Sequence, residues 1–482
     1  MNFVKLIEDS FKKYEENYCL VYDNRYLTYS EVSNKIKMIM NLIDSRNVMP
    51  KQTIALKFGS NSEHYYYSIF ACLLNNLVCC FLPDDYNVDV NEQHFNWLLT
   101  DNKDVVSGSE FSEIAPGLFL IELESKCGPK ELINEDVIFI LTTSGSTGAA
   151  KWVLLTSQNL SFSVEAINSY MNITEEDILM PLKSFSHVST ITSELLLSVI
   201  YGACLILEPS KFFAKKFNPL IEKYKVSSIT IVPTILSFML QYKPEVYLKN
   251  LRNISVIGGP ASKNLLIEAM KVLPNTKIYC GYGLTEATSR VTFLDSDRLV
   301  SKIESIGRAL PGVQVRLLNE NSDNEILEPY VVGEICVAGK NIMLGYLHDG
   351  AVHGANILRT KDLAYKDSEG YFYHMGRSDD VIVINGINVS AFAIEKKIEE
   401  VEGVFSAYVF VEQRTTGAET ITAVVVTSED SKVNENTVYK YALKHLKSHE
   451  VPKRIIVTSE LPSISGKVSR NKLKLYYGLK EM

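Results

Sequence analysis

The 482-residue chain is 46% apolar and 22% charged, a globular composition too long for a single hydrophobic core of ordinary size, so at least two domains are expected. Its formal net charge of -8 at pH 7 argues against a nucleic-acid binder, which needs a broad basic surface, but leaves room for a small anionic ligand. The opening stretch "MNFVKLIEDSFKKYEENY" mixes charges with apolar positions and holds no signal-peptide core. The apolar run "LLLSVIYGACLIL" at 195–207 is too short to span a bilayer and is interrupted by Ser198, Tyr201 and Gly202. A soluble cytoplasmic protein without a membrane span is therefore expected. Eight Cys, scattered apart from Cys79 and Cys80, form no CxxC pair and have no His partners at zinc spacing, which predicts reduced core residues.

Along the chain, amphipathic segments such as "SEVSNKIKMIMNLIDS" and "SKNLLIEAMKVL" alternate with short apolar runs, "TIALKF", "DVIFILTT", "ACLILE", "SSITIVP" and "NISVIGG". Helical and strand periodicities in alternation predict an α/β fold. From about Val313 close-spaced strands, "VQVRLLN", "GEICVAG" and "GYFYHMG", predict a β-rich subdomain. The polar stretch "GRSDD", Gly376 to Asp380, marks the clearest boundary, giving domains 1–377 and 378–482. Beyond it the order is strand, helix, two strands around "RTTGAE", helix and strand, enough for a small α+β domain. From Ser431 onward eleven Lys and Arg face four Glu, which reads either as a solvated basic face or as a docking surface for phosphates or an acidic partner.

Between "DVIFILTT" and "WVLLT", both predicted strands, lies "SGSTGAAK". A helix, "SQNLSFSVEAINSYM", is expected next, capped by Ser157 or Asn159. Glycines let successive N–H groups converge on an anion, hydroxyls donate further bonds, and Lys151 adds charge, a combination suited to polyphosphate. Ala149 and Ala150 separate the last Gly from the Lys, so this is not the usual nucleotide P-loop. Alone, such a loop is equally an ordinary linker. Other segments add partners: "GYGLTEAT" offers aromatic Tyr282, Thr285 and the carboxylate of Glu286, suited to Mg²⁺. "LRTKD" supplies Asp362, suited to two ribose hydroxyls, "GRSDD" supplies Arg377, and "LPSISGKVSRNKL" places Lys467 on a Gly-containing turn.

The series "TTSGSTGAAK", "GYGLTE", "GEICVAGKNIMLGY", "RTKD", "GRSDDVIVINGINVS" and "LPSISGKVSR" resembles the adenylate-forming superfamily of acyl- and aryl-CoA synthetases, luciferases and peptide-synthetase adenylation domains, over nearly the whole chain. The resemblance implies a large N-terminal α/β domain, a small mobile C-terminal lid and an active site at their junction. It implies that Thr143, Ser144, Gly145, Ser146, Thr147, Gly148 and Lys151 line the phosphates of ATP. Gly259, Tyr282 and Gly283 would flank the adenine, Thr285 and Glu286 the α-phosphate and magnesium, and Asp362 and Arg377 the ribose. Gly258, Gly283, His187 and Val188 would line the acid pocket. Asp379 would be the hinge, Gly386 and Asn388 would border the pantetheine channel, and Lys467 would serve the first half-reaction. Ala150 replaces the usual Pro, Lys361 the usual Gly, and the 258–262 loop is a residue shorter than most. None of these departures removes a needed charge, so they bear on local loop geometry.

The implied reaction joins two anions, a carboxylate and the α-phosphate of ATP, so its barrier is largely electrostatic and cationic groups must meet the charge that develops. Acyl-adenylate and pyrophosphate would result. A thiol, of CoA or of the phosphopantetheine on an acidic carrier protein, would then attack after the lid rotates and withdraws Lys467. From Lys183 to Ser193 there is no acid to pair with an α-ammonium group, which favours a fatty or aryl acid over an amino acid. A stand-alone amino-acid-adenylating enzyme and an inactive nucleotide-binding homologue remain as alternatives.

Overall fold

The computed structural model describes residues 3–59, 62–83, 86, 88, 95–105, 111–123, 136–144, 150–208, 216–242, 248–319, 322, 324–348, 351–353, 357–413, 419–428, 431–459, 461 and 470–478. Two nine-stranded sheets dominate it. Their central strands are buried at every position, as expected of parallel strands covered on both faces: Val78–Phe81, Cys204–Leu207 and Ser228–Ile231 are buried throughout, the last with Ser228 and Thr230 among its four residues.

In one sheet Tyr18–Tyr22, Cys204–Leu207, Ile178–Leu179, Ser228–Ile231, Asn253–Val256 and Lys277–Tyr282 run parallel, and Thr292–Leu294 turns back against the last of them. In the other, Trp97–Thr100, Thr53–Lys57, Val78–Phe81 and Val137–Ser144 are parallel, then Ala150–Thr156 and Gly345–His348 add antiparallel edges. Ligands of open parallel sheets gather at the carboxyl ends of the strands. Gly258, Gly283 and the Ser/Thr/Gly stretch all follow such ends.

The amphipathic segments form helices as their spacing predicts. Tyr29–Asp44 buries Val32, Ile36, Ile39 and Ile43 on one face. The helix Ser157–Met171 starts one residue earlier than its predicted caps: Thr156 is the N-cap, its hydroxyl accepting from Asn159 N while Asn159 Oδ1 accepts from Thr156 N at 2.8 Å. A reciprocal capping box outcompetes a single capping side chain. Of the eight Cys, the seven described ones are free and buried, and Cys127 lies outside the described residues.

The expected β-rich stretch is a four-stranded antiparallel sheet, Val313–Leu318, Gly333–Gly339, Leu358–Lys366 and Phe372–Arg377. After Arg377 the chain enters the hairpin Val381–Ile384/Ile387–Ser390 and then a three-stranded sheet, Val404–Gln413, Glu419–Thr427 and Arg454–Thr458, packed on the helices Ala391–Glu399 and Glu435–His445. Helix Lys263–Val272 joins this last unit to the first sheet. Asn264 Nδ2 donates to Val401 O at 2.8 Å and Glu399 O at 2.9 Å, and Ser262 Oγ to Phe405 O at 2.7 Å. No described helix is long and apolar enough to cross a membrane.

Candidate active site

The Ser/Thr/Gly stretch joins two antiparallel strands in which Thr143 pairs with Lys151. Gly145, Ser146, Thr147 and Gly148 lie outside the described residues, as does Lys467, and of Ser144 only the backbone is described. Lys151 is exposed and holds its Nζ 5.1 Å from the centroid of the Tyr346 ring, a cation–π contact. The Tyr346 hydroxyl in turn donates to Glu286 Oε1 at 2.8 Å. Burial, and then the Glu286 charge, push the phenol far up, so it remains a donor.

Glu286 is held by a tight local structure. A Cβ on Gly283 would lie 1.6 Å from the Ser289 carbonyl oxygen, so only glycine lets the chain leave the strand Lys277–Tyr282 here. A short 3₁₀ turn, Thr285–Ala287, follows, and Thr288 and Ser289 adopt left-handed φ of 47° and 88°. Buried Asn341 fastens the loop, donating to Ala287 O at 3.3 Å and Arg290 O at 3.1 Å, while the Thr288 hydroxyl donates to Asn341 O at 2.6 Å. Among the described residues nothing hydrogen-bonds to Glu286 Oε2. A carboxylate with one oxygen oriented and one open suits Mg²⁺, which takes few protein ligands and completes its shell with phosphates and water. No cluster of three or more metal-ligating side chains occurs among the described residues.

On the other side of the same turn, Tyr282 donates its hydroxyl to Asp362 Oδ2 at 2.6 Å. Asp362 pairs in register with Arg377 on the neighbouring strand, whose Nη1 is 3.6 Å from Asp362 Oδ1, and His374 Nε2 lies 3.4 Å from the same oxygen. Burial opposes the charge on Asp362, but His374, Tyr282 and Arg377 outweigh it and hold the carboxyl below its ordinary range. Arg377 also pairs with Asp379, Nε to Oδ1 at 2.8 Å, and Lys361 Nζ reaches Asp379 Oδ2 at 3.5 Å. Lys361, standing where the resembled pattern has Gly, keeps the left-handed backbone that Gly favours, with φ 62°. The departure therefore leaves the left-handed backbone within the strand Leu358–Lys366 in place and adds a cation beside Asp379.

Two clusters thus meet at one turn: cation, ring and carboxylate on one side, phenol, carboxylate and guanidinium on the other. Residues 7–347 match the family model described as AMP-binding enzyme. The chain belongs to the AMP-binding enzymes. This AMP-binding enzyme is 28% identical over 467 residues to the 2-succinylbenzoate–CoA ligase of Listeria monocytogenes, covering 94% of this chain and 95% of the relative. It is 33% identical over 350 residues to the Geobacillus sp. 2-succinylbenzoate–CoA ligase, covering 70% of this chain and 69% of the relative. Its fold matches the Bacillus subtilis o-succinylbenzoate CoA synthetase bound to an acyl-adenylate intermediate, with a TM-score of 0.76, 24% identity and 97% of each chain covered.

The segment after Pro181 carries the residues expected to line the acid pocket of this enzyme. His187 precedes a short helix, Val188–Thr190, that widens into a π turn over Ile191–Leu195. His187 is exposed and the next residue, Val188, is buried; the surrounding protein, followed by the Lys183 charge, lowers the imidazole pKa to about 4. Gly258, with φ 82°, and Gly259 sit against Val232 and Pro233 at the end of the strand Asn253–Val256. The hairpin tip pairs Asn385 and Gly386, with φ 48° and 80°, and Asn388 pairs with Val383.

Sequence reasoning missed five residues. Tyr346 ends the quoted "GEICVAGKNIMLGY" and His374 lies three positions before Arg377, so both had a local signal. Lys183, Glu194 and Arg290 are buried together near His187, and only the tertiary fold reveals that.

Proposed function

We propose that this enzyme is an ATP- and Mg²⁺-dependent acid–thiol ligase that activates an aryl acid of the 2-succinylbenzoate type as its adenylate and transfers the acyl group to CoA. The observation that carries the reading is the junction of the two clusters at Gly283–Glu286, with Tyr282 bonded to Asp362 at 2.6 Å and Tyr346 bonded to Glu286 at 2.8 Å. It is supported by family membership and by relatives named as 2-succinylbenzoate–CoA ligases.

Asp362 and Arg377 present a carboxylate and a guanidinium side by side: the first accepts from ribose hydroxyls, the second is held by Asp379 and counters nearby negative charge. Tyr282 gives the adenine a flat neighbour while its hydroxyl fixes Asp362. Glu286 is the residue that would hold magnesium, which when bound supplies neutralising charge at the phosphates. Thr143 and Lys151, paired across the hairpin, and Thr285 donate to phosphate oxygens. Lys467 bridges the attacking carboxylate and the α-phosphate. After adenylate forms, rotation at Asp379 exchanges Lys467 for the 385–388 hairpin tip at the thiol channel. The proposed division into domains 1–377 and 378–482 is supported by the change of sheet after Arg377.

The basic surplus after Ser431 suits the phosphates of CoA, and an acidic carrier protein is the second candidate acceptor. The test is ATP–pyrophosphate exchange over a panel of aryl, fatty and amino acids, followed by thioester formation with CoA or a phosphopantetheinylated carrier. Exchange with aryl acids and product with CoA is expected; exchange with amino acids alone would overturn the substrate class.

A further inference from the structure

The segment proposed to line the acid pocket brings together buried charges for which the proposed reaction has no use. Lys183, four residues before His187, is buried at 7% exposure, and among the described residues its ammonium makes one hydrogen bond, to Ser189 Oγ at 2.7 Å. An ammonium has three donors, so two are left over. Arg290 is also buried, at 1%, and its partners are all neutral hydroxyls: Ser289 at 2.8 Å, and Tyr170, Ser193 and Ser255 each at 3.2 Å.

The one carboxylate of the cluster, Glu194, accepts from Thr230 N at 2.9 Å through Oε1. Its Oε2 has no partner in hydrogen-bond geometry, although the Thr230 hydroxyl lies near enough to favour the charge. No described ion pair within 4.0 Å joins Glu194 to either cation. Two buried cations therefore face one carboxylate at a distance, a surplus of positive charge where solvation is poor. The π turn Ile191–Leu195 carries both Ser193 and Glu194, and such wide turns recur at functional sites. Lys183 is also close enough to His187, which is exposed, for its charge to disfavour a second one on the ring.

We propose that Lys183 is a specificity-determining residue that receives a second anionic group on the acid substrate, with Arg290 and Glu194 fixing the sign of the field around it. This rests on the reading of the enzyme as an acid-activating ligase. A monocarboxylic acid would leave the ammonium uncompensated once its own carboxylate is committed to the phosphate, whereas a dicarboxylic acid supplies the missing acceptor. An amino acid brings a further cation into a pocket that already has an excess.

The test measures ATP-dependent pyrophosphate release with three substrates: 2-succinylbenzoate, the same acid lacking its ring carboxylate, and a panel of amino acids. The unmodified enzyme is expected to prefer the dicarboxylate by about 10–100-fold in kcat/KM, the range of one charge-assisted hydrogen bond. Lys183→Met should erase most of that ratio through KM rather than kcat, and Lys183→Arg should restore part of it. Equal use of both acids by the unmodified enzyme overturns the inference without any variant and leaves the ligase reading standing. Equal losses on both acids in Lys183→Met, without rescue by Arg, also overturn it and make Lys183 structural. Preference for an amino acid, or release with no acid at all, overturns the ligase reading itself and the inference with it.

Discussion

Tyr282→Phe removes one oxygen and leaves the ring, so it isolates the phenol–carboxylate bond at the centre of the site. The bond is 2.6 Å long and ends on an Asp362 that is 9% exposed, so water cannot fully replace it. Hydrogen bonds to charged groups are worth about 1.5–3 kcal/mol. His374 and Arg377 remain at 3.4 and 3.6 Å and hold part of the charge, so a loss near the lower end, about 2 kcal/mol at neutral pH, is expected. The folded state keeps Asp362 below its ordinary value of 3.8, so the stability it contributes is present above that value and is lost as pH falls through the lower, folded one. Without the phenol, less is there to lose. The gap between parent and variant in urea midpoints should therefore be widest at neutral pH and shrink in acid. Because a chain of several domains does not unfold in one step, the transition of the large sheets should be followed by the fluorescence of Trp97 and Trp152, which both lie in one of them. A neutral-pH difference below about 0.5 kcal/mol, the scatter of surface changes, or a difference that ignores pH, would refute the reasoning.

Tyr346→Phe should raise the Mg²⁺ concentration for half-maximal pyrophosphate exchange by about tenfold, because the hydroxyl that orients Glu286 is gone; an unchanged requirement would separate Glu286 from the metal. Lys467→Ala should abolish adenylate formation yet spare thioester formation from supplied acyl-adenylate, and equal loss in both half-reactions would contradict the division of labour. His187, with its pKa lowered to about 4, should stay neutral down to mildly acidic pH; ring NMR signals that titrate near 6.5 would show that water in the cleft cancels the enclosure. Its depressed pKa means acid favours the unfolded chain between those two values, so His187→Gln should be less acid-sensitive there, by an amount reduced by the exposure of the ring. Lys361→Gly relieves a left-handed side chain but also leaves Asp379 with Arg377 as its one described cation, so stability should change by less than about 1 kcal/mol while the ratio of the two half-reaction rates shifts.

The candidate site's residues could be picked out in the sequence because they lie in short segments. Tyr282 and Glu286 lie four residues apart, and the register of two adjacent strands places Asp362 opposite Arg377. Periodicity also predicted the main helices and strands around it, since each buries a regular stripe or run. What stayed hidden depends on neighbours distant in sequence. Glu194 stands at the head of an apolar run and Arg290 between Ser289 and Val291, where nothing local says that both are buried. The acid sought between Lys183 and Ser193 for an amino-acid pocket was absent there, yet a buried carboxylate stood one position beyond, among cations that only the tertiary fold brings to it. Thr156 was missed as a cap because Ser157 and Asn159 are equally good candidates until the geometry of the turn selects one.

The tip Asn385–Gly386 is more than a tight turn. Asn385 N donates to Glu419 Oε2 at 2.6 Å, its side-chain amide donates to Glu419 O at 3.2 Å, and Glu419 N returns a bond to Asn385 Oδ1 at 3.3 Å. Three fastenings to the start of the strand Glu419–Thr427 make the tip a fixed spur on the three-stranded sheet rather than a whisker. Whatever angle that sheet turns through, the spur sweeps the same angle without lag, so cutting the Glu419 tie should blunt delivery of the thiol while leaving the adenylate side of the cycle untouched.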